Sequence, residues 1–168
     1  VLHMLRHVMG DANFFLALSN YRAAHAFGTA TTADFQAQCE AVYGSSLTWF
    51  FQPWVYGIGA PTYQWATRPL VLNSQHYLEV YLEQVQTASW PMFEMPLDLI
   101  TTDALGTQTL VIRNNQRRQH FLIPVAQAVT ATSLDPDNWV LAVSSSTNTA
   151  STSSKVVVPF QEGPPKIG

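Results

Sequence analysis

One aromatic stretch constrains the fold of this chain more than any other feature of its sequence. Residues 47–61 read LTWFFQPWVYGIGAP, and a helix on the protein surface cannot leave so many aromatic side chains in water. Two glycines and Pro61 close the stretch, because neither residue type continues a helix readily. We interpret it as the last helix of an α-helical half, packed against the first strand of a β half. The predicted interface between the halves consists of Trp49, Phe50, Phe51, Trp54 and Tyr56.

Upstream of this stretch, apolar residues recur at the spacing of amphipathic helices. Thr31 and Asp34 have the spacing of a capping box, with Asp in place of the usual Glu, and predict the start of a third helix. Asp11 and Ser46 are the predicted caps of the second and fourth helices. Pro53 removes a backbone donor and predicts a kink in the fourth helix. The first three helices are predicted to end at Gly10, Gly28 and Gly44.

Each of the first three helices is predicted to bury one apolar face. Cys39 belongs to the third of these faces, and as the only cysteine it excludes both an internal disulfide and a thiolate metal cluster. We interpret it as a small buried hydrophobe. The residues predicted to point inward are Leu2, Leu5, Val8 and Met9, then Phe14, Phe15, Leu18 and Tyr21, and finally Phe35, Cys39 and Val42.

After Tyr63 the apolar spacing changes from helical to alternating. Apolar Leu78, Val80 and Leu82 alternate with polar or aromatic residues, as in a half-buried strand. Short strands about ten residues apart, without helices between them, predict a small antiparallel sandwich, so the predicted fold class is α+β. Further strands are predicted at 95–103, 110–112, 121–123 and 139–141, with turns at Gly106, 114–115 and 135–138.

The sequence divides into three regions at residues 62 and 142. Residues 1–62 are the predicted helical region, and residues 63–142 are the predicted β-sandwich domain. From 143 to 154 the chain consists largely of Ser, Thr and Asn, a composition typical of a flexible linker. The valines at 156–158 predict one short strand within this Ser/Thr-rich tail, which extends to residue 168.

Low charge content restricts the partners that the chain can have. Charged residues make up 11% of the sequence, against about 25% in a typical domain, so we expect part of the surface to be covered. A net charge of -3 argues against nucleic-acid binding, which requires clustered Lys and Arg. No apolar run reaches the ~20 residues of a membrane span. The one basic cluster, interpreted as a solvated hairpin end, consists of Arg113, Arg117 and Arg118.

No group of side chains in the sequence recommends a catalytic or metal site. His3 and His7 have the spacing of the two zinc ligands in H-E-x-x-H. Met4 replaces the catalytic Glu, however, and no third ligand follows, so we reject this pair as a zinc site. Ser45 and Ser46 lack the context of a nucleophile elbow. The candidate acid–base pairs, interpreted instead as charges on the solvent face of strands, are Asp98 with Asp103 and Glu79 with Glu83.

Four aromatic residues in the β half could line a sugar-binding face. Aromatic side chains on strands more often belong to a core or an interface, and we prefer that interpretation. A β-sandwich binding module for carbohydrate or protein, with a helical adaptor, nevertheless remains an alternative function. The four residues are Trp65, Tyr77, Tyr81 and Trp90.

Five loose motifs follow one another along the chain. Residues 1–14 match a helix of the form V-L-x-M-L-x-x-x-x-G-D-x-x-F, and residues 31–35 match a T-x-x-D-F helix start. Residues 54–61 resemble a helix end of the form W-x-x-x-G-x-P, and the segments MPLDL and DPDNWVL follow at 95–99 and 135–141. Taken in this order, the motifs resemble the region just downstream of the active site in aminopeptidase N-like zinc metallopeptidases, the gluzincin aminopeptidases, in which the last two segments belong to a β-sandwich.

The resemblance covers about residues 1–142 and implies a short α-helical array from the end of a catalytic domain, followed by an Ig-like antiparallel β-sandwich. The family binds zinc through H-E-x-x-H and a downstream Glu, and uses a Tyr from a Y-x-K-G element. In the family all of these precede the position of Val1. The resemblance therefore assigns no catalytic, cofactor-binding or metal-binding residue to this chain, and zinc is expected only in an intact parent enzyme. Because the sequence opens with helical periodicity and no initiating Met, we expect a piece of a longer protein.

The resemblance thus predicts the C-terminal structural portion of a zinc-dependent aminopeptidase, supporting the active-site domain and inactive by itself. Its implied partners are the upstream catalytic domain of the same polypeptide and the peptide substrate of the parent enzyme. Besides the binding module, a second alternative is a non-catalytic scaffold related to the peptidases. Few charges and a polar tail favour an exported, cell-envelope or secreted location.

Overall fold

A computed structural model describes residues 1–146 and contains helices followed by two sheets. This arrangement confirms the predicted α+β class. The helices are α1 (Leu2–Met9), α2 (Asp11–His25), α3 (Thr32–Tyr43) and α4 (Thr48–Phe51), the last continuing as a π-helical segment (Gln52–Tyr56), and the strands are β1 (Thr62–Leu72), β2 (Gln75–Gln84), β3 (Met95–Asp103), β4 (Gly106–Asn114), β5 (Arg118–Val125), β6 (Ala131–Leu134) and β7 (Val143–Ser146).

The predicted capping box at the start of α3 is confirmed. The Thr31 hydroxyl accepts a hydrogen bond from the Asp34 amide at 3.2 Å, and the Asp34 carboxylate accepts from the Thr31 amide at 2.8 Å. Gly44 ends this helix as predicted, since its φ of 81° lies in the left-handed region, where a side chain would be strained. Local sequence therefore determines both ends of α3.

The capping box predicts a pH dependence. Hydrogen bonds from the Thr31 hydroxyl and amide hold the pKa of the Asp34 carboxyl below its usual range. The resulting stabilisation of α3 is present above the unfolded pKa of about 3.9 and is lost as the pH falls through the lower folded pKa. A carbon-13 NMR titration should give an Asp34 midpoint below about 3.9, and Thr31→Val should move it upward. A midpoint at the usual value in the unmodified chain would contradict the prediction.

Four predictions for α1 and α2 are wrong in detail: the burial of Leu2, the cap at Asp11, the end of α2 at Gly28 and the burial of Phe15. Helix α1 ends at Gly10 as predicted and buries Leu5 and Met9, but Leu2 is exposed. Helix α2 ends at His25, three residues before Gly28, and Asp11 forms an ion pair with Arg6. Helix α2 buries Phe14 and leaves Phe15 53% exposed, because consecutive helical residues point about 100° apart and cannot share a narrow buried face.

Pro53 changes the fourth helix by widening it rather than by simply bending it. Helix α4 is one turn long, and the chain continues through Pro53 as a π-helical segment up to Tyr56. Proline lacks an N–H group, so the regular α-helical ladder cannot pass through this position. Ser46 contributes at the start, where its hydroxyl accepts a hydrogen bond from the Thr48 amide at 3.2 Å.

Two sheets make up the β half. Sheet A has the order β5-β2-β1-β7, and sheet B has the order β4-β3-β6. All neighbouring strands are antiparallel except β7, which runs parallel to β1. The chain passes from sheet B to sheet A between β4 and β5, so the predicted turn at 114–115 connects two sheets and does not form a hairpin.

Three strand predictions differ from the structure. Strand β6 was not predicted, and residues 139–141 do not form the predicted strand. Strand β7 lies at the start of the Ser/Thr-rich region, where backbone pairing with β1 replaces the side-chain packing that this composition lacks. The strand predicted at 156–158 lies outside the described residues.

Both sheets and the helices bury their apolar residues in one hydrophobic cluster. In β2 the predicted apolar face is confirmed, since Leu78, Val80 and Leu82 are fully buried, but Glu79 on the opposite face is only 8% exposed and does not lie in solvent as predicted. The three apolar residues belong to the same cluster as Leu97 and Leu99 of β3, which alternate in the same way. No helix within residues 1–146 has the length and hydropathy needed to cross a bilayer.

Candidate functional site

Helix α1 contacts the β half through the rings of two histidines. The rings of His3 and His7 both stack on Trp139, with centroid distances of 4.3 and 4.9 Å. The Nε2 atom of His7 also lies 3.5 Å from an Asp98 carboxylate oxygen in β3. Within residues 1–146, no three His, Cys, Asp or Glu side chains converge to hold a metal ion. The structure therefore gives both histidines a packing role at this interface.

The loop at residues 135–138 presents Trp139 to helix α1. The Asp135 carboxylate accepts hydrogen bonds from the amides of Trp139 and Val140, each at 2.9 Å. Asp135 and Asn138 both have positive φ, a conformation that Asp and Asn tolerate better than most residues. Burial raises the pKa of the Asp135 carboxyl. Beneath this loop, the hydroxyl of Tyr63 is buried without a hydrogen-bond partner in the described structure.

A second set of contacts joins α4 and its π-helical continuation to the segment before β3. Phe50, Phe51 and Trp54 are buried, whereas Tyr56 is exposed. The Trp54 ring lies 4.6 Å from that of Phe93, and its indole N–H donates to the Glu94 carbonyl at 3.0 Å. These contacts place Trp54 at the interface between helices and sheets, where Trp49 also lies 4.7 Å from the Arg113 guanidinium of β4, whereas Phe51 packs on Phe35 of α3.

Gly59 allows this interface to close. Its φ is 85°, and a Cβ atom at this position would lie 2.3 Å from the Trp90 ring. Both the backbone conformation and the close approach therefore require glycine. The sequence pattern identified Gly59 as a helix breaker, but its main role in the structure is to accept the indole of Trp90.

A buried amide cluster at the same end of the sheets was not predicted from the sequence. The Gln84 amide oxygen accepts from the Phe93 amide at 3.0 Å, and its nitrogen donates to the Phe93 carbonyl at 2.7 Å. The Gln84 nitrogen also donates to Asn114, and Gln86 donates to the Gln84 oxygen at 2.9 Å. The only sequence signal was an amide residue at the end of an alternating strand, where a buried residue is due.

The basic cluster at 113–118 is not a hairpin end, because β4 and β5 lie in different sheets, but the side chains of Arg113 and Arg118 are 52% and 66% exposed, as a solvated cluster predicts. Arg113 forms an ion pair with Glu94 at 2.6 Å and lies 4.7 Å from the centre of the Trp49 ring. Arg117 donates to two backbone carbonyls, those of Gln86 and Trp90. The third member, Arg118, pairs with Glu83. These arginines connect the turn between β4 and β5 to the rest of the fold.

In each candidate acid–base pair, the carboxylates contact other residues and not each other. In β2, Glu79 lies between Arg68 at 2.6 Å and His120 at 2.9 Å, while Glu83 is bound by Arg118 and Tyr81. In β3, an odd spacing places Asp98 and Asp103 on opposite faces of the strand. The Asp103 carboxylate accepts from the Leu105 amide in the following turn. Neither pair brings two carboxylates to one reactive position.

The structure also shows where the remaining candidate residues lie. Cys39 is buried, and burial raises the pKa of its thiol to about 11, which disfavours the reactive thiolate. Ser45 and Ser46 are exposed in the connection between α3 and α4. The four aromatic residues do not form one exposed platform: Trp65 is buried on the inner side of sheet A, Tyr77 and Tyr81 are half-buried on its outer side, and Trp90 packs on Gly59.

No protein-family model and no curated protein matches the sequence. The structure is similar to the crystal structure of Legionella pneumophila aminopeptidase A in complex with aspartic acid, with a TM-score of 0.68 and 15% sequence identity. The similarity covers 86% of this chain and 17% of the other chain. The chain therefore shares its fold with part of that protein. It spans about one sixth of the length of the protein that it matches.

Several large apolar side chains of the helical region are exposed. They are Leu2 of α1, Phe15 and Leu16 of α2, and Phe27 after α2. The Arg6 guanidinium lies 5.3 Å from the Phe15 ring centre and covers part of that ring. Phe15 and Leu16 are consecutive, and exposed apolar side chains of this size can pack against other structure.

Proposed function

We propose that this chain is the C-terminal structural portion of a zinc-dependent aminopeptidase of the gluzincin type. In this proposal, residues 1–62 form the end of the helical catalytic domain, and residues 63–142 form an Ig-like β-sandwich. The similarity to one continuous arrangement of helices and sheets in an aminopeptidase is the observation that carries it. The order of the five sequence motifs supports it independently.

The interface between α1 and the sheets gives this proposal a physical role. The rings of His3 and His7 stack on Trp139, and the Trp54 indole of the last helix donates a hydrogen bond to the Glu94 carbonyl. Such contacts fix the helices relative to the sheets, so an upstream catalytic domain packed on Phe15 and Leu16 would be held in a defined orientation. The chain would hold the catalytic domain of the same polypeptide in position, and that domain would be its partner.

The residues described in this chain do not fit a catalytic zinc ion. Neutral histidine nitrogens and carboxylates are the ligands zinc requires, and three or more must converge. His3 and His7 have their ring faces on Trp139, and no third ligand converges with them within residues 1–146. In the proposal, zinc and the peptide substrate belong to the upstream part of the parent enzyme.

The proposal is tested by measuring zinc content and hydrolysis of aminoacyl-p-nitroanilides with the purified chain. We expect no stoichiometric zinc and no turnover. Stoichiometric zinc with turnover that is lost in His3→Ala or His7→Ala would overturn the assignment. Gln64→Ala, at an exposed position of β1, is the matched control for nonspecific loss.

The full-length product of the gene supplies the second arm of the test. It should bind one zinc ion and hydrolyse the same substrates. If it binds no zinc and lacks activity, the chain belongs to a non-catalytic scaffold instead. This arm distinguishes the two functions because both would share the fold described above.

A further inference from the structure

Strand β4 has an unusually open edge. In sheet B, β4 pairs only with β3, and within residues 1–146 no backbone group bonds to the other side of residues 106–112. At Arg113 the edge is covered, because the Gln119 amide donates to the Arg113 carbonyl. Residues 106–112, GTQTLVI, therefore present a continuous edge of seven residues, which we call the β4 edge.

The other sheet edges of the described chain have features that discourage further pairing. Strands β6 and β7 have four residues each. Strand β5 contains Pro124 and carries Arg118 and His120. The β4 edge has neither proline nor charge, and Val111 is 65% exposed on it. Short strands, charges and prolines protect natural edges from pairing, and the β4 edge lacks all three.

We propose that the β4 edge pairs antiparallel with the same edge of a second copy of this chain. The two three-stranded sheets would then form one continuous sheet across a twofold axis. Two copies of the same edge that pair about a twofold axis perpendicular to the strands run antiparallel, and the contact closes after two copies. Added strands of this kind gain affinity from main-chain hydrogen bonds.

The sequence of the β4 edge is compatible with itself in this arrangement. Pairing all seven residues places the axis at Thr109, so that Thr109 faces its own copy and Val111 faces Thr107 of the second copy. Thr–Thr and β-branched pairs are favourable cross-strand neighbours, and no two like charges meet. A second copy supplies an identical edge with favourable cross-strand neighbours and no repelling charge. We therefore take a second copy, rather than a foreign extended peptide, as the occupant.

The test is the concentration dependence of the mass of the full chain, measured by sedimentation equilibrium. We expect a reversible monomer–dimer equilibrium. Thr109→Lys places two like charges opposite each other at the axis and should raise the dimer dissociation constant about tenfold or more. Mixing Thr109→Lys with Thr109→Glu should restore the dimer, because opposite charges then meet.

Matched variants keep this test specific. Ser133→Lys lies at an exposed position of β6, the other edge of sheet B, and should leave the dimer unchanged. Val111→Lys replaces Thr109→Lys if the latter fails to fold, as judged by circular dichroism. A chain that is monomeric at every concentration overturns the proposal and indicates that another part of the polypeptide covers the edge. A dimer that is insensitive to both lysine variants, or disrupted by Ser133→Lys, also overturns it.

Discussion

Replacing Gln84 with leucine is expected to reduce the free energy of unfolding by about 3–6 kcal/mol, because four buried polar groups, on Phe93 (N–H and carbonyl), Asn114 and Gln86, lose a hydrogen-bond partner. Gln84 is 2% exposed and bonds both the N–H and the carbonyl of Phe93, and its nitrogen also donates to Asn114. Leucine is similar in volume, so the loss reflects unpaired polar groups and not a cavity. Urea unfolding followed by far-ultraviolet circular dichroism measures the change.

Two further variants separate the hydrogen bonds from packing at this position. Gln84→Glu keeps the shape but replaces the donating amide nitrogen with a second acceptor, which would face the Phe93 carbonyl and the Asn114 oxygen. It should therefore destabilise the chain at least as strongly as leucine at neutral pH. Gln64→Leu makes the same chemical change at an exposed position of β1 and should be nearly neutral. Equal effects of the leucine substitutions at 84 and 64 would refute the role assigned to the cluster.

Features that depend on neighbouring residues in the sequence could be predicted. Thr31 with Asp34 and the left-handed Gly44 fix α3 locally, and the alternation of Leu78, Val80 and Leu82 identifies the buried face of β2. These signals follow from the periods of helix and strand and from backbone hydrogen bonding at helix ends. They determine the type of each element, and hence the α+β class, without information on tertiary contacts.

Features that depend on distant partners could not be predicted in the same way. The contacts of Arg113 had no local signal, because its partners, Glu94 and Trp49, lie far away in the sequence. His7 and Trp139 come from opposite ends of the described chain, and their stacking has no local signature. The parallel pairing of β7 depends equally on β1, since its serine-rich sequence has no strand pattern of its own.

The interface between helices and sheets depends both on neighbouring residues in the sequence and on distant partners. The sequence pattern identified the aromatic stretch as the last helix before the first strand, which the element order confirms, and Trp54 of this stretch packs on Phe93 of the β half. For Gln84 the pattern gave only the position, in phase with the buried residues of β2, and no indication of the hydrogen-bond partners that an amide there requires. Buried polar residues become recognisable only once their partners are known, and here the partner is the backbone around Phe93, which precedes the next strand.

Trp54→Ala is the second substitution with a large expected effect, about 3–5 kcal/mol of unfolding free energy. The side chain is 7% exposed, packs on Phe93 and Phe50, and bonds the Glu94 carbonyl. Its removal leaves a cavity between the last helix and the sheets and frees a buried acceptor. The midpoint of urea unfolding should fall accordingly, with tryptophan fluorescence and circular dichroism giving coincident transitions if the chain still unfolds as one unit.

The contribution of the hydrogen bond within this effect is measured by Trp54→Phe, which retains most of the ring but cannot donate to Glu94. We expect it to recover more than half of the stability lost in the alanine variant, because burial of the ring outweighs a single hydrogen bond worth about 1 kcal/mol. Tyr56→Ala is the matched control, since Tyr56 lies two residues later and is exposed. A loss in Tyr56→Ala as large as that in Trp54→Ala would mean that aromatic content, rather than the buried contact with Phe93 and Glu94, stabilises the junction. A small loss in Tyr56→Ala together with separate helix and sheet transitions in Trp54→Ala would identify Trp54 as the residue that couples the two halves into one cooperative unit.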